Sequence, residues 1–202
     1  MGRNSGGVTT SGKGGRSSGL RGATENGYTA KMVKNIVGME QKYRHNEYET
    51  LHVFNSEGDI VTSFRGNSAY VKIDLKKVPV NSILTHNHPS ALKFRGILRI
   101  GASFSKEDIS LAINTNAKEM RAVTPTYTFS VKRPKSGWGV TAGEIAKVYN
   151  HINNLVWNQR EDYHYKSGEG NDQINRAAIT HHHKIMKMLA KRYGWNYSKK
   201  NS

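Results

Sequence analysis

The sequence predicts an α/β fold, a mixed sheet flanked by helices, with a disordered basic tail before it and a helical C-terminal region after it. Three observations carry that expectation. Short runs rich in β-branched and aromatic residues, within ETLHVFNSEGDIVTSFRG, SILTH and RAVTPTYTFSVKR, are bounded by turn residues. Around and after them, apolar residues recur at helical spacing. Ahead of them, residues 1–27 hold nine of the chain's 20 glycines and few apolar side chains. A length of 202 residues suits one domain with appendages.

Taken in order, residues 1–27 lack the apolar content that would offset the entropy of ordering, so they read as a flexible cationic arm. Gly7 to Lys13, GVTTSGK, fits the spacing of a phosphate-binding loop. Gly14 then stands where the magnesium-binding Ser or Thr belongs, and no apolar strand precedes it, so the match is discounted. Met32, Val33, Ile36, Val37, Met39 and Tyr43 follow helical spacing, which predicts an amphipathic helix over about 29–45. Two apolar runs around Asn55–Asp59 predict a hairpin, AYVKIDL a third strand, and SILTH a strand that ends in histidines.

Residues 91–104, ALKFRGILRIGASF, read as a basic insertion, a loop or a short helix. SKEDISLAINTN opens on a Ser-x-x-Asp start signal and predicts a helix. RAVTPTYTFSVKR predicts two strands broken at Pro125. Two apolar stripes follow, Ile145, Val148, Tyr149, Ile152, Leu155 and Val156, then Ala178, Ile185, Met188, Leu189 and Tyr193. They predict two helices joined by a loop at 166–172, the second stopped by Gly194.

Composition narrows the function. With no cysteine, any metal must be held by His, Asp or Glu, and no disulfide framework exists. No run approaches the roughly 18 apolar residues that a membrane helix needs, and no signal peptide is legible, so an intracellular protein is expected. Thirty-one Lys and Arg against 15 Asp and Glu give +16, which favours a polyanion such as nucleic acid or marks a solvated basic surface.

The chemistry concentrates in LTHNHPS, residues 84–90. Residues two apart on a strand face the same side, so His86 and His88 can point at one ion. Asp108, in the first turn of the next predicted helix, can complete a His2Asp set, the kind of set that holds a catalytic zinc and leaves a position open. Ser105 and Asp108 also stand at capping-box spacing, which is a purely structural use of the same residues.

The string THNHPS…FSKEDI resembles the JAB/MPN (JAMM) metallopeptidase motif, and HNHPS resembles its RadC-like branch. The resemblance implies a JAB/MPN fold, with residues 28–140 as the metal-site core and 141–202 as C-terminal helices packing on it. It further implies Zn2+ held by His86, His88 and Asp108, and Ser105 as oxyanion donor. An upstream glutamate is implied as general base, here Glu49 in preference to Glu47. The substrate implied is a protein or peptide, cleaved at a peptide or isopeptide bond. Sixteen residues, 89–104, separate His88 from Ser105, a longer gap than the family pattern has. A further likeness, to JAB-like domains attached to phage head-morphogenesis proteins, implies a phage or mobile-element origin, in host cytoplasm or virion. The alternative is a basic nucleic-acid-binding or virion-associated protein that keeps such a site unused.

Other features read as structural. The histidines of HHH, 181–183, do not share a helix face and read as exposed or half-buried. His52 reads as a structural histidine or a partner of the metal ligands. His151 and His164 have no assigned partner. An HNH nuclease spreads its histidines over a ββα unit, which three consecutive letters do not reproduce. The basic C-terminus reads as packing an apolar stripe on the core with its lysines in water.

Overall fold

The structure, a computed structural model, describes residues 27–67, 70–89, 93–94, 97–98, 103–167 and 171–202, with backbone alone at 93–94, 97–98, 157, 159–167 and 171–179. The cationic arm with its GVTTSGK stretch lies outside the described residues. The chain is mixed α/β, with four helices and a six-stranded mixed sheet among those residues.

Helix α1 (Ala30–Tyr43) starts where the Thr29 hydroxyl accepts from the Met32 N–H at 3.2 Å. It buries Met32, Ile36, Glu40 and Tyr43, while Val33 and Val37 stay exposed. Strands β1 (Thr50–Phe54) and β2 (Ile60–Arg65) form the expected hairpin. The Asn55 side chain accepts from the N–H groups of Glu57 and Asp59, each at 2.9 Å. Gly58 sits in this turn at φ +83, and a Cβ there would stand 2.5 Å from the Met32 Cα where α1 crosses.

Strand β3 (Ile83–Asn87) runs antiparallel to β1 and parallel to β6 (Glu119–Val123). A parallel pair needs a crossover. Residues 88–118 supply it, with a short ladder of β4 (Lys93–Phe94) and β5 (Ile97–Leu98) followed by α2 (Lys106–Asn114). Within the basic insertion, residues 93–94 and 97–98 are therefore paired strand, and its described residues include no helix. Strand β7 (Tyr127–Lys132) turns back from β6 at Pro125, and the sheet order is β2-β1-β3-β6-β7, closed at the β7 edge by β8 (Asn196–Asn201).

Helices α3 (Ala142–Ser167) and α4 (Asn171–Tyr193) cover the α2 face of the sheet. Ile145, Tyr149, Ile152, Ile185, Met186 and Leu189 join the main core there. Two predicted stripe positions do not: Leu155 and Met188 are 44% and 38% exposed, and Met186 takes the inward place. Gly194 ends α4 at φ +69. The chain then forms an unexpected edge strand, β8 (Asn196–Asn201), paired with β7. AYVKIDL, by contrast, is not a strand. Val71 and Ile73 lean on the core, which explains the alternation, but no ladder partner accepts the backbone.

The α1 face is pinned by buried charge. Arg121 donates to both Glu40 oxygens at 2.6 and 2.9 Å and to Glu119 at 2.9 Å. Glu119, fully buried, also accepts from Ser130 at 2.5 Å and from the Tyr28 hydroxyl. No helix among the described residues is long and apolar enough to cross a membrane.

Candidate metal centre

Two elements build the centre, the end of β3 and the first turn of α2. Both faces of β3 are buried, and its alternation sends Leu84 and His86 toward α2 and Ile83 and Thr85 toward α1. His88 lies one residue past the strand, still held because its N–H donates to the Val123 carbonyl at 3.0 Å. His86 Nε2 and His88 Nε2 are 2.9 Å apart. Asp108 completes the group, with Oδ1 at 3.2 Å from His86 Nε2 and Oδ2 at 3.7 Å from His88 Nε2. One ligand atom from each of the three lies within 4.8 Å of the others, so the set could hold a metal ion.

The helix start aims Asp108. Ser105 is the N-cap of α2 and its hydroxyl accepts from the Asp108 N–H at 3.1 Å. In return, Asp108 Oδ2 accepts from the Ser105 N–H at 2.7 Å and hydroxyl at 2.8 Å, a reciprocal capping box. The capping use and the ligand use therefore coexist in one carboxylate: Oδ2 closes the cap and also faces His88, while Oδ1 approaches His86. Ser105 is thus placed beside the centre, with its hydroxyl engaged by Asp108.

Charge and burial work against each other here. Burial alone would lower the pKa of His86, but the charge and hydrogen bond of Asp108, then Glu49, outweigh it and raise it. Burial would raise the pKa of Asp108, but His86 and His88 hold it well below the usual carboxylate range. The other His86 ring nitrogen, Nδ1, is buried without a well-formed hydrogen bond, beside the Arg121 backbone that favours its protonated form.

Glu49 immediately precedes β1, and it is half-buried whereas Glu47 is exposed. The β1–β3 register ends with Leu51 opposite His86, and Glu49, two residues before Leu51, follows it in strand alternation. Burial pushes its carboxyl pKa up, and it feels the charges of His86, Asp108 and His88. It belongs to the same electrostatic cluster as the three ligand candidates.

Two neighbours carry no local motif. The Phe104 ring, fully buried, sits 6.4 Å from the His86 ring, centroid to centroid. Tyr149 on α3 donates to the Phe104 carbonyl at 3.0 Å, and burial followed by Asp108 raises its pKa. An aromatic inside an amphipathic stripe gives no sign of this proximity.

The remaining histidines stand elsewhere. His52 pairs with Ser63 at 2.6 Å and packs on Tyr43, on the α1 face, away from the centre. His181, His182 and His183 reach Asn153, Tyr149 and Tyr197 respectively. His181 is buried at 6% exposure, contrary to expectation, because the Asn153 amide on α3 satisfies it between the helices. His151 is exposed, and the side chain of His164 lies outside the described residues. Compared with family models, with curated proteins and with solved structures, the chain finds no match.

Proposed function

We propose that this protein is a zinc-dependent hydrolase of JAB/MPN type that cleaves a peptide or isopeptide bond. The observation that carries the reading is the convergence of His86, His88 and Asp108 from two elements, with Glu49 in the same charged cluster. Donors at about 2.0–2.1 Å from a tetrahedral zinc lie roughly 3.3 Å from one another. His86 Nε2 lies 2.9 Å from His88 Nε2 and 3.2 Å from Asp108 Oδ1, close to that value, and one ligand atom from each of the three lies within 4.8 Å of the others. A His2Asp set also leaves one position open, as catalytic zinc sites do.

A bound zinc ion supplies Lewis acidity and makes water acidic enough to ionise near neutral pH. The chain supplies the rest. Glu49, half-buried with a raised pKa, takes the proton from the attacking water and later returns it to the leaving amine. Ser105, at the N-terminus of α2, donates to the developing oxyanion once its hydroxyl turns from Asp108. Phe104 presents a buried apolar ring beside His86.

Purified protein is expected to carry about one zinc, lost in the His86→Ala/His88→Ala double variant. Glu49→Gln keeps shape and removes basicity, so zinc stays while cleavage of a peptide or isopeptide panel falls by about 10²–10⁴-fold. Glu47→Gln leaves both unchanged. Full zinc retention in the double variant would refute the centre. The +16 charge favours a second reading, in which the basic surface binds nucleic acid and the centre is unused.

A further inference from the structure

The residue between the two histidines faces the other way. Asn87 is fully buried, and among the described residues its side-chain hydrogen bonds run to the backbone around Glu49. Its Oδ1 accepts from the Thr50 N–H at 2.8 Å. Its Nδ2 donates to the Tyr48 carbonyl at 3.0 Å and to the Asn46 carbonyl at 3.4 Å. The main-chain ladder between β1 and β3 ends at Leu51 and His86, and one residue further on this side-chain amide replaces it.

Glu49 itself is tied on the opposite side, to β2. Its N–H donates to the Asn67 carbonyl at 2.7 Å, and its carbonyl accepts from the Gly66 N–H at 2.9 Å. The 48–49 and 49–50 peptide groups are therefore each held from both flanks. Fixing the backbone on either side of a residue fixes its Cα–Cβ direction, and only χ rotations remain to the carboxylate. The strand that presents the two histidines thus also sets the segment that presents the glutamate.

We propose that Asn87 is a positioning residue that aims the Glu49 carboxylate at the metal centre. The proposal rests on the reading of Glu49 as general base. It assigns a role to a polar residue of THNHP whose side chain, like that of Thr85, points away from the ligands. A base acting on a metal-held water must sit within hydrogen-bond reach of it. A displacement of about 1 Å is enough to cost on the order of 10²-fold in rate. Asn87 touches neither the ligand atoms nor the reacting groups, so its loss leaves metal binding intact.

The test uses the zinc-loaded full chain. Asn87→Ala is expected to keep one zinc and an unchanged KM while kcat falls about 10²-fold. In the Asn87→Ala/Glu49→Gln double variant kcat falls no further than in Glu49→Gln alone, because both act through one carboxylate. A merely structural Asn87 predicts losses that multiply, and that result, or a wild-type kcat in Asn87→Ala, overturns the proposal. Asn87→Asp keeps the acceptor for Thr50 and loses the two donated bonds; it serves where the alanine variant does not fold, and a wild-type kcat there overturns the proposal equally. If Glu49→Gln is fully active, or the wild type cleaves nothing, the general-base reading has failed. Crystal structures of the zinc-loaded wild type and Asn87 variants then decide the positioning on their own: a displaced Glu49 carboxylate supports it, and an unmoved one refutes it.

Discussion

His86 and Asp108 share one short contact, and its worth depends on pH in a direction that can be worked out. The pKa of His86 is raised above its ordinary 6.5, so its contribution to stability is complete below that value and fades as pH rises through the raised one. The pKa of Asp108 is depressed below 3.8, so its contribution is complete above that value and fades as pH falls. In the metal-free protein the pair therefore stabilises most between about pH 4 and 6.5. Metal needs the neutral imidazole, so protons compete with it for His86. Thermal melts with and without zinc, from pH 5 to 8, are expected to show a zinc-induced rise in Tm that grows with pH. A rise independent of pH would mean that the ion binds without displacing a proton from His86. Of these residues, the histidine pair and Asp108 were legible in the sequence because strand alternation and helix capping are local rules. Glu49 was narrower: Glu47 and Glu49 share a face in an ideal strand, and only burial of the one and exposure of the other separates them.

Helix α2 couples folding to the centre through a single turn. Its capping box orients Asp108 before any ion arrives, because Oδ2 is held by Ser105 while Oδ1 points at His86. Ser105→Ala removes the hydroxyl acceptor for the Asp108 N–H, at a cost of about 0.5–2 kcal/mol. It also removes one of the two bonds that hold Oδ2, leaving only the backbone N–H of residue 105, which is expected to weaken metal binding about 10–100-fold. Urea denaturation of the metal-free variant checks the first figure and competition with a chelating dye checks the second. A drop in stability with metal affinity unchanged would show that the cap does not aim the ligand. Elements whose signals are local, α1, the β1–β2 hairpin, β3, α2 and the β6–β7 pair, were legible to within a few residues. Strand β8 was not, since NYSKKN has little β-propensity and becomes a strand because β7 offers an unpaired edge.

The whole molecule is strongly basic, and the arm carries Arg3, Lys13, Arg16 and Arg21 against Glu25. If its cations meet phosphates, deleting residues 1–27 lowers affinity for an oligonucleotide and reduces the log–log salt slope by about 0.9 for each phosphate the arm had neutralised. An unchanged slope would place any polyanion binding on the folded domain. Composition alone supports that prediction, just as it excludes thiolate ligands in a chain without cysteine. The sequence by itself determined the types of α1, the β1–β2 hairpin, β3, α2 and the β6–β7 pair, the shared face of His86 and His88, and the cap that carries Asp108, since each follows from interactions within a few residues. Only the tertiary structure decided that α2 packs so that Asp108 comes within 3.2 Å of His86, and that Glu49 lies within reach of the charges of His86 and His88. It alone revealed that the Asn87 amide bridges to residues 46–50, and that Tyr149 and Phe104 close in from elsewhere. These pairings join residues far apart in the chain, and strand register and burial, which no local pattern encodes, select them.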